Sequence, residues 1–110
     1  MDMIEIIQQK VAEFNEKVSA DEKMSKDLGG VTKNILIDLG GERVFLELKD
    51  NAIGIVDELG DIDMKIVTTP EVLSGIINKE ISPMRALLID RTLKVEASLE
   101  DKLRLRKLLE

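Results

Sequence analysis

The segment KNILIDLGGERVFLELKDNAIGIV, residues 33–56, alternates between apolar and other side chains in three successive runs. An alternation of period two is typical of strands that bury one face. Two pairs, Gly40-Gly41 and Asp50-Asn51, separate the runs, and both tolerate positive φ, which predicts tight hairpins. The segment therefore predicts a three-stranded antiparallel meander with one apolar side, formed by Ile35, Ile37, Leu39, Val44, Leu46, Leu48, Ile53 and Ile55.

Two further runs carry the same alternation. IDMKIVT alternates through Ile62, Met64 and Ile66, and TLKVEA does so through Leu93 and Val95. Both are predicted strands, which brings the sheet to five. We expect Ile37, Leu46, Ile55, Met64 and Leu93 to share the helix-covered face, because a slip of one residue would expose a whole strand.

Helices are predicted before, between and after these strands. Ile4, Ile7, Val11, Phe14 and Val18 recur at intervals of three and four, which is typical of a helix that covers a sheet. Residues 19–30 suit a short second helix that begins at Ser19 and ends at Gly29-Gly30.

Two Thr/Ser-Pro pairs mark helix starts between the last two strands. Thr69-Pro70 begins a helix with Val72, Leu73, Ile76 and Ile77 inward, and Ser82-Pro83 begins one with Met84, Leu87 and Leu88 inward. Ser98 and Asp101 have capping-box spacing and start a final helix through Leu99, Leu103 and Leu105, with Leu103 buried and Arg104 and Lys107 in solvent. The fold class is therefore α+β: one domain over residues 1–110, a five-stranded mostly antiparallel sheet with helices on one face.

Composition excludes several functions. The net charge of −6 argues against nucleic acid, and two phenylalanines offer no stacking platform for single strands. The chain has no histidine and no cysteine, so serine triads, thiolate sites and the commonest metal ligand are missing. The acidic stretch DELGDID is read as a solvated turn rather than a cation site. We therefore expect no catalysis, no metal and no cofactor.

The predicted location is the cytoplasm. Asp2 and Glu5 stand where a signal peptide needs positive charge, and no run approaches the roughly 18 apolar residues of a membrane span. Near the C-terminus, Arg104, Arg106 and Lys107 lie beside leucines. A solvated helix face is the simpler interpretation, and transient contact with an anionic membrane is the alternative.

The order of elements and the C-terminal half resemble the sterol carrier protein 2 (SCP2) sterol-binding domain. DIDMKIVTT leads into a helix, INKEISPMRALL is similar to the family's lysine, proline and alanine-aromatic segment, and RTLKVEAS is similar to its following strand. Pro83, Ala86, Leu93, Lys94 and Val95 are in register. The chain departs from the family at Lys79, Arg91 and Ala97, where glycine is common, and at Leu87 and Leu88, where two phenylalanines are frequent.

This resemblance implies an apolar tunnel between sheet and helices that binds or transfers lipid. Leu87 and Leu88 beside Met84 replace flat rings with pliable aliphatic groups, which favours a fatty acyl chain over a sterol. The residues expected to contact the ligand are Ile37, Leu46, Ile55, Met64, Ile76, Ile77, Met84, Leu87, Leu88 and Leu103.

Three functional hypotheses follow. The first is a non-enzymatic carrier of a fatty acyl or similar lipid. The second is a protein-interaction or oligomerisation module with a closed cavity, possibly accessory to a lipid-handling enzyme. The third is an enzyme that uses carboxylates at the tunnel mouth, and the absence of histidine argues against it.

Overall fold

The computed structural model describes residues 3–58 and 60–103. Four helices and five strands follow one another in the predicted order. They are α1 (Met3–Ala20), α2 (Glu22–Asp27), β1 (Lys33–Asp38), β2 (Arg43–Lys49), β3 (Ala52–Val56), β4 (Met64–Val67), α3 (Pro70–Ile77), α4 (Pro83–Leu88) and β5 (Lys94–Glu96). Residues 99–103 are also helical, and we call them the C-terminal turn.

The strands form one sheet in the order β3-β2-β1-β4-β5. Antiparallel ladders join β1 to β2, β2 to β3 and β4 to β5, while β1 and β4 are parallel. The sheet is therefore mixed and mostly antiparallel. Ile35 lies at its centre, opposite Leu46 on one side and Met64 on the other, and is 1% exposed.

The register confirms the predicted apolar face. Ile37, Leu46, Met64 and Leu93 are buried on it, and Ile55 is half-buried in register with Leu46. Apolar residues of α1 and α3 complete one continuous core with this face. The strands are not apolar on one side alone, since the opposite face carries Leu36, Phe45, Val56 and Val67.

The connection from β3 to β4 fixes the parallel pair. Asn34 in β1 holds it by three bonds: its backbone N–H donates to Asp63 Oδ2 at 2.8 Å, its Nδ2 donates to the Asp61 carbonyl at 2.8 Å, and its carbonyl accepts from the Asp63 N–H at 2.9 Å. Ile62 lies between these anchors, outside β4, and is 40% exposed. Its predicted place in the strand is therefore wrong.

Both predicted hairpins are present. Gly40 has φ 92°, and Leu39 N–H donates to the Glu42 carbonyl around the turn. Asp50 and Asn51 have φ of 53° and 65°, and Lys49 pairs with Ala52. Positive φ at both central residues matches the twist of the strands.

Helix α1 is attached to the exposed edge of the sheet by an amide side chain. Asn15 Nδ2 donates to the Ile53 carbonyl at 3.0 Å, and Asn15 Oδ1 accepts from the Ile53 N–H at 2.8 Å. The side chain thus pairs both backbone groups of a residue on edge strand β3, as a neighbouring strand would.

The helix starts agree with the sequence except at α2. Thr69 and Ser82 cap α3 and α4, each followed by proline. Asp21, not Ser19, is the N-cap of α2, and it accepts from the N–H groups of Lys23 and Met24. The reason is that α1 continues to Ala20, so the aspartate is the first side chain placed to cap the next helix.

Helix α4 is rotated from its predicted orientation. Met84 and Leu88 are 44% and 63% exposed, whereas Ala86 is fully buried and Leu87 half-buried. The Thr92 and Leu93 N–H groups both donate to the Ala86 carbonyl, so the chain folds back onto this residue. A small side chain permits that approach, and it turns Met84 and Leu88 outward.

The C-terminal turn begins as predicted and differs in its packing. Ser98 Oγ accepts from the Asp101 N–H at 3.2 Å. The Asp101 carboxylate is buried and lies 3.3 Å from Lys33 Nζ. Leu103 is 54% exposed, so its predicted burial is wrong; the inward position of the turn is occupied by Asp101. The predictions for Arg104 and Lys107 lie outside the described residues.

Two non-glycine residues adopt left-handed backbone angles after α3 and α4. Lys79 has φ 63° and Arg91 has φ 54°. The Glu80 and Lys79 N–H groups donate to the Gly75 and Ile76 carbonyls, the pattern of a helix end that favours glycine at this position. Both are positions where the resemblance expects glycine.

We expect Lys79→Gly and Arg91→Gly each to raise the free energy of unfolding by about 0.5–1 kcal/mol. A residue with a Cβ is strained at a left-handed backbone angle, whereas glycine is not. The relief of this strain exceeds the additional conformational entropy that glycine loses on folding. Urea unfolding measures the change. Lys79→Ala should bring no comparable gain, and Lys17→Gly in α1 should lower stability by about 1 kcal/mol. A loss of stability in both glycine variants would contradict this account.

We expect Asn15→Ala to lower the free energy of unfolding by about 1–3 kcal/mol, since it leaves two backbone groups of Ile53 without their partner. The control is Glu16→Ala, an exposed neighbour in the same helix, which should change stability by less than about 0.5 kcal/mol. Equal effects in the two variants would show that the Asn15 bonds contribute nothing specific.

Candidate functional site

An apolar cavity of about 60 Å³ lies between the sheet and helices α1 and α3, and it is partly open to solvent. The sheet supplies its floor and the helices its walls. The lining residues are Ile7, Lys10, Val11, Ile35, Ile37, Leu46, Ile53, Ile66, Leu73, Ile76, Ile77 and Leu93.

The floor is set by strand register. Ile35 and Ile37 of β1 lie side by side with Leu46 of β2 and Ile66 of β4, because residues two apart point to the same face. Each of these four is less than a tenth exposed. The floor is thus part of the centre of the hydrophobic core, where neighbouring strands hold the side chains.

The walls come from helices with different supports. Helix α1 contributes Ile7, Lys10 and Val11 and is bonded to β3 through Asn15. Helix α3 contributes Leu73, Ile76 and Ile77. Its outer side is packed through Gly75, where an added Cβ would collide with the Ile81 side chain. A side chain larger than hydrogen at this position would force the Ile81 side chain to move.

The predicted site residues divide into three groups. Ile37, Leu46, Ile76 and Ile77 line the cavity. The second group packs in or against the hydrophobic core but does not line the cavity: Ile55, Met64 and Leu87. The third group is exposed and lies apart from the cavity lining: Met84, Leu88 and Leu103.

Eight lining residues were not predicted to contact a ligand. The sequence pattern of most of them predicts burial without predicting ligand contact. Ile7 and Val11 are on the α1 stripe, and the other positions are apolar residues of their elements: Ile35, Ile53, Ile66 and Leu73. Leu93 was expected on this face as well. Lys10 carries no such signal, because a lysine beside an apolar stripe is ordinarily solvent-exposed.

The size of the cavity limits what it can hold. An apolar cavity of about 150 Å³ accepts a benzene ring, and this one has less than half that volume. The described conformation therefore has room for only a small part of a lipid. A longer guest requires α1 and α3 to separate or their side chains to move.

The described lining of the cavity includes one charged residue. Lys10 is the only polar residue among the described residues that line it, and its side chain is 13% exposed. Lys10 Nζ lies 3.9 Å from Glu13 Oε2. Within residues 3–58 and 60–103, no group of three His, Cys, Asp or Glu side chains is placed to hold a metal ion.

Helix length and polarity also bear on membrane contact. Over the described parts of the chain, no helix combines the length and the apolar character that a membrane crossing needs.

Comparison with solved structures identifies the fold. The chain is similar to a protein described as UbiJ-SCP2 ubiquinone synthesis protein, with a TM-score of 0.67, 14% identity, and coverage of 90% of this chain and 88% of that one. It is similar to palmitated SCP2L2 from Aedes aegypti, with a TM-score of 0.63, 14% identity and coverage of 94% of both chains. At this level of identity the likeness shows the fold alone.

A third similar structure is an enzyme. A sec-alkyl sulfatase matches with a TM-score of 0.63 and 13% identity over 78% of this chain, but over only 14% of its own. The likeness is thus confined to a small part of that enzyme. A search of curated protein sequences finds no match.

The family model described as SCP-2 sterol transfer family matches residues 11–110. The match includes every strand and helices α2 to α4, together with most of the cavity lining. Lipid binding or transfer is the general function of this family. The chain belongs to the SCP-2 sterol transfer family.

Proposed function

We propose that this protein is a non-enzymatic carrier that binds a lipid by its fatty acyl chain between the sheet and helices α1 and α3. The observation that carries the proposal is the apolar cavity between these elements in a chain of the SCP-2 family. In this role, residues 1–110 act as one lipid-binding domain, and the proposed contacts include Ile37, Leu46, Ile76 and Ile77.

The shape of the lining supports an acyl chain over a sterol. Apart from Lys10, the described lining side chains are all aliphatic, and most are β-branched or leucine. A flexible chain can enter a narrow space one methylene at a time, whereas a fused ring system needs the full width at once. The similar mosquito protein was solved with palmitate, which is consistent with this preference.

Helix α4 gives no support to the acyl preference. Met84 and Leu88 are exposed and lie apart from the cavity lining. The preference now depends on the aliphatic lining of α1, α3 and the sheet. A tunnel that accepts a whole chain remains part of the proposal, since the cavity of about 60 Å³ holds only part of one.

Burial of hydrocarbon supplies enough free energy for a carrier. At about 0.8 kcal/mol per buried methylene, a chain of about sixteen carbons gains at most about 12 kcal/mol. Association and the separation of α1 from α3 oppose this by several kcal/mol, which leaves an affinity in roughly the micromolar range. Such a ligand can also be released.

The residues give no support to catalysis. The chain has no histidine and no cysteine, and the described cavity lining carries no carboxylate. We therefore propose binding and transfer without a chemical step, and a cytoplasmic location remains a prediction.

An interaction module is the second candidate, and exposed apolar side chains favour it. Met84, Leu88 and Ile89 are 44%, 63% and 71% exposed around α4. Such a cluster is typical of a surface that contacts a protein or a membrane. In that role the cavity would be closed to lipid, and the similar ubiquinone synthesis protein suggests a lipid-handling enzyme as the partner.

We expect unlabelled palmitate to displace a fluorescent fatty acid from the protein more effectively than cholesterol does. The physical reason is the narrow aliphatic lining, and displacement curves at matched concentrations measure it. Stronger displacement by cholesterol would contradict the acyl preference. Failure of the probe to bind at all would favour the interaction module.

We expect Ile77→Phe to weaken binding of the same probe by about tenfold, because one aromatic ring takes up much of a cavity of about 60 Å³. Ile77 is half-buried at the wall, so the fold tolerates the larger side chain with a cost of about 1–3 kcal/mol. Ile62→Phe, at an exposed position away from the lining, is the matched control and should bind normally. Unchanged binding in Ile77→Phe would separate this cavity from the lipid site.

A further inference from the structure

Lys10 lines an otherwise apolar cavity with a side chain that is largely buried. Its side chain is 13% exposed, and the lining residues nearest to it in sequence are Ile7 and Val11. Lysine is almost never buried without a reason, although its methylene stem packs well on apolar surface. The stem thus forms part of the wall, and the ammonium group lies at the end of that stem.

Among the residues that the structure describes, the ammonium group has one ionic contact, and it is loose. Glu13 Oε2 is 3.9 Å away, which is longer than a hydrogen bond, and the Glu13 side chain is 65% exposed. Exposed pairs of this kind contribute little, and solvent screens them. An ammonium has three N–H donors. Lys10 can therefore donate to an anionic partner at hydrogen-bond distance without losing a strong bond.

The geometry points to a specific role: we propose that Lys10 recognises the carboxylate of a fatty acid whose hydrocarbon chain enters the cavity. This role of Lys10 rests on the proposed function and deepens it, because the lysine would select a lipid with an anionic head group over one with a neutral head group. A hydroxyl or an ester offers no charge to the ammonium, whereas a carboxylate forms a charge-assisted hydrogen bond with it.

Lys10 lies just outside the family match. That match begins at residue 11, so Ile7 and Lys10 precede it while their side chains line the same cavity. The first half of α1 therefore adds a cationic residue to a lining that is otherwise aliphatic among the described residues.

The test compares two ligands that differ only in the head group, dodecanoate and 1-dodecanol, by equilibrium binding to the full chain at low salt. We expect the wild type to prefer dodecanoate, Lys10→Met to weaken dodecanoate about tenfold and dodecanol less than about twofold, and Lys10→Arg to keep the preference. Methionine retains an apolar stem without the charge, so loss of wall packing is kept small.

Lys17→Met is the matched control, because it removes the same charge from an exposed position of the same helix. It should leave both affinities unchanged. Equal weakening of both ligands in Lys10→Met, or no change in either, would overturn the role of Lys10 while the carrier function stands. Binding of neither ligand by the wild type would overturn the carrier function and this inference together.

Discussion

The register of β1 is the constraint on which the rest of the structure depends. Its alternate residues place Ile35 and Ile37 on one face, and their partners in β2 and β4 extend that face in both directions. A slip of one residue would turn each of these side chains to the opposite side. The helix-covered core and the floor of the cavity would then be lost together, because they are formed by the same residues.

Parallel pairing of β1 with β4 brings together two strands that are distant in sequence, since β2 and β3 lie between them. No short hairpin fixes the register of this pair. Asn34 resolves the problem locally. Its backbone and side chain hold residues on both sides of Ile62 in place, so β4 begins at a fixed level beside β1. The helices are attached differently: α1 is bonded to the sheet edge through Asn15, while α3 is held by packing at Gly75 and by its caps. The floor of the cavity is therefore held by strand pairing, whereas α1 and α3 are held by side-chain contacts, and the proposed entry of a longer guest would separate these two helices.

The sequence predicted most of this fold because most of its signals are local. Hairpins at Gly40 and at Asp50-Asn51, caps at Thr69 and Ser82, and the apolar face of Ile37 and Leu46 each depend on a few neighbouring residues. The candidate site was predicted less well. A helix of six residues, α4, has too few turns for periodicity to fix its rotation, and that rotation is set by the contacts of Ala86 with Thr92 and Leu93. Met84 and Leu88 consequently face outward. Lys10 could not be predicted either, because its burial comes from residues distant in sequence.

The small size of the cavity changes how affinity and specificity combine. In the described conformation, Ile7, Ile76 and their neighbours already bury much of their apolar surface against one another. The free energy that a lipid gains on binding is therefore the gain from its own burial minus the loss of the contacts that it displaces. Hydrocarbon length then contributes less to selectivity than it would in an open tunnel, because each added methylene must also separate α1 from α3. The head-group pairing that we propose for Lys10 would not carry that offset, because it adds a polar contact rather than more buried hydrocarbon. In that proposal, a single cation beside an aliphatic lining selects the class of lipid that is bound.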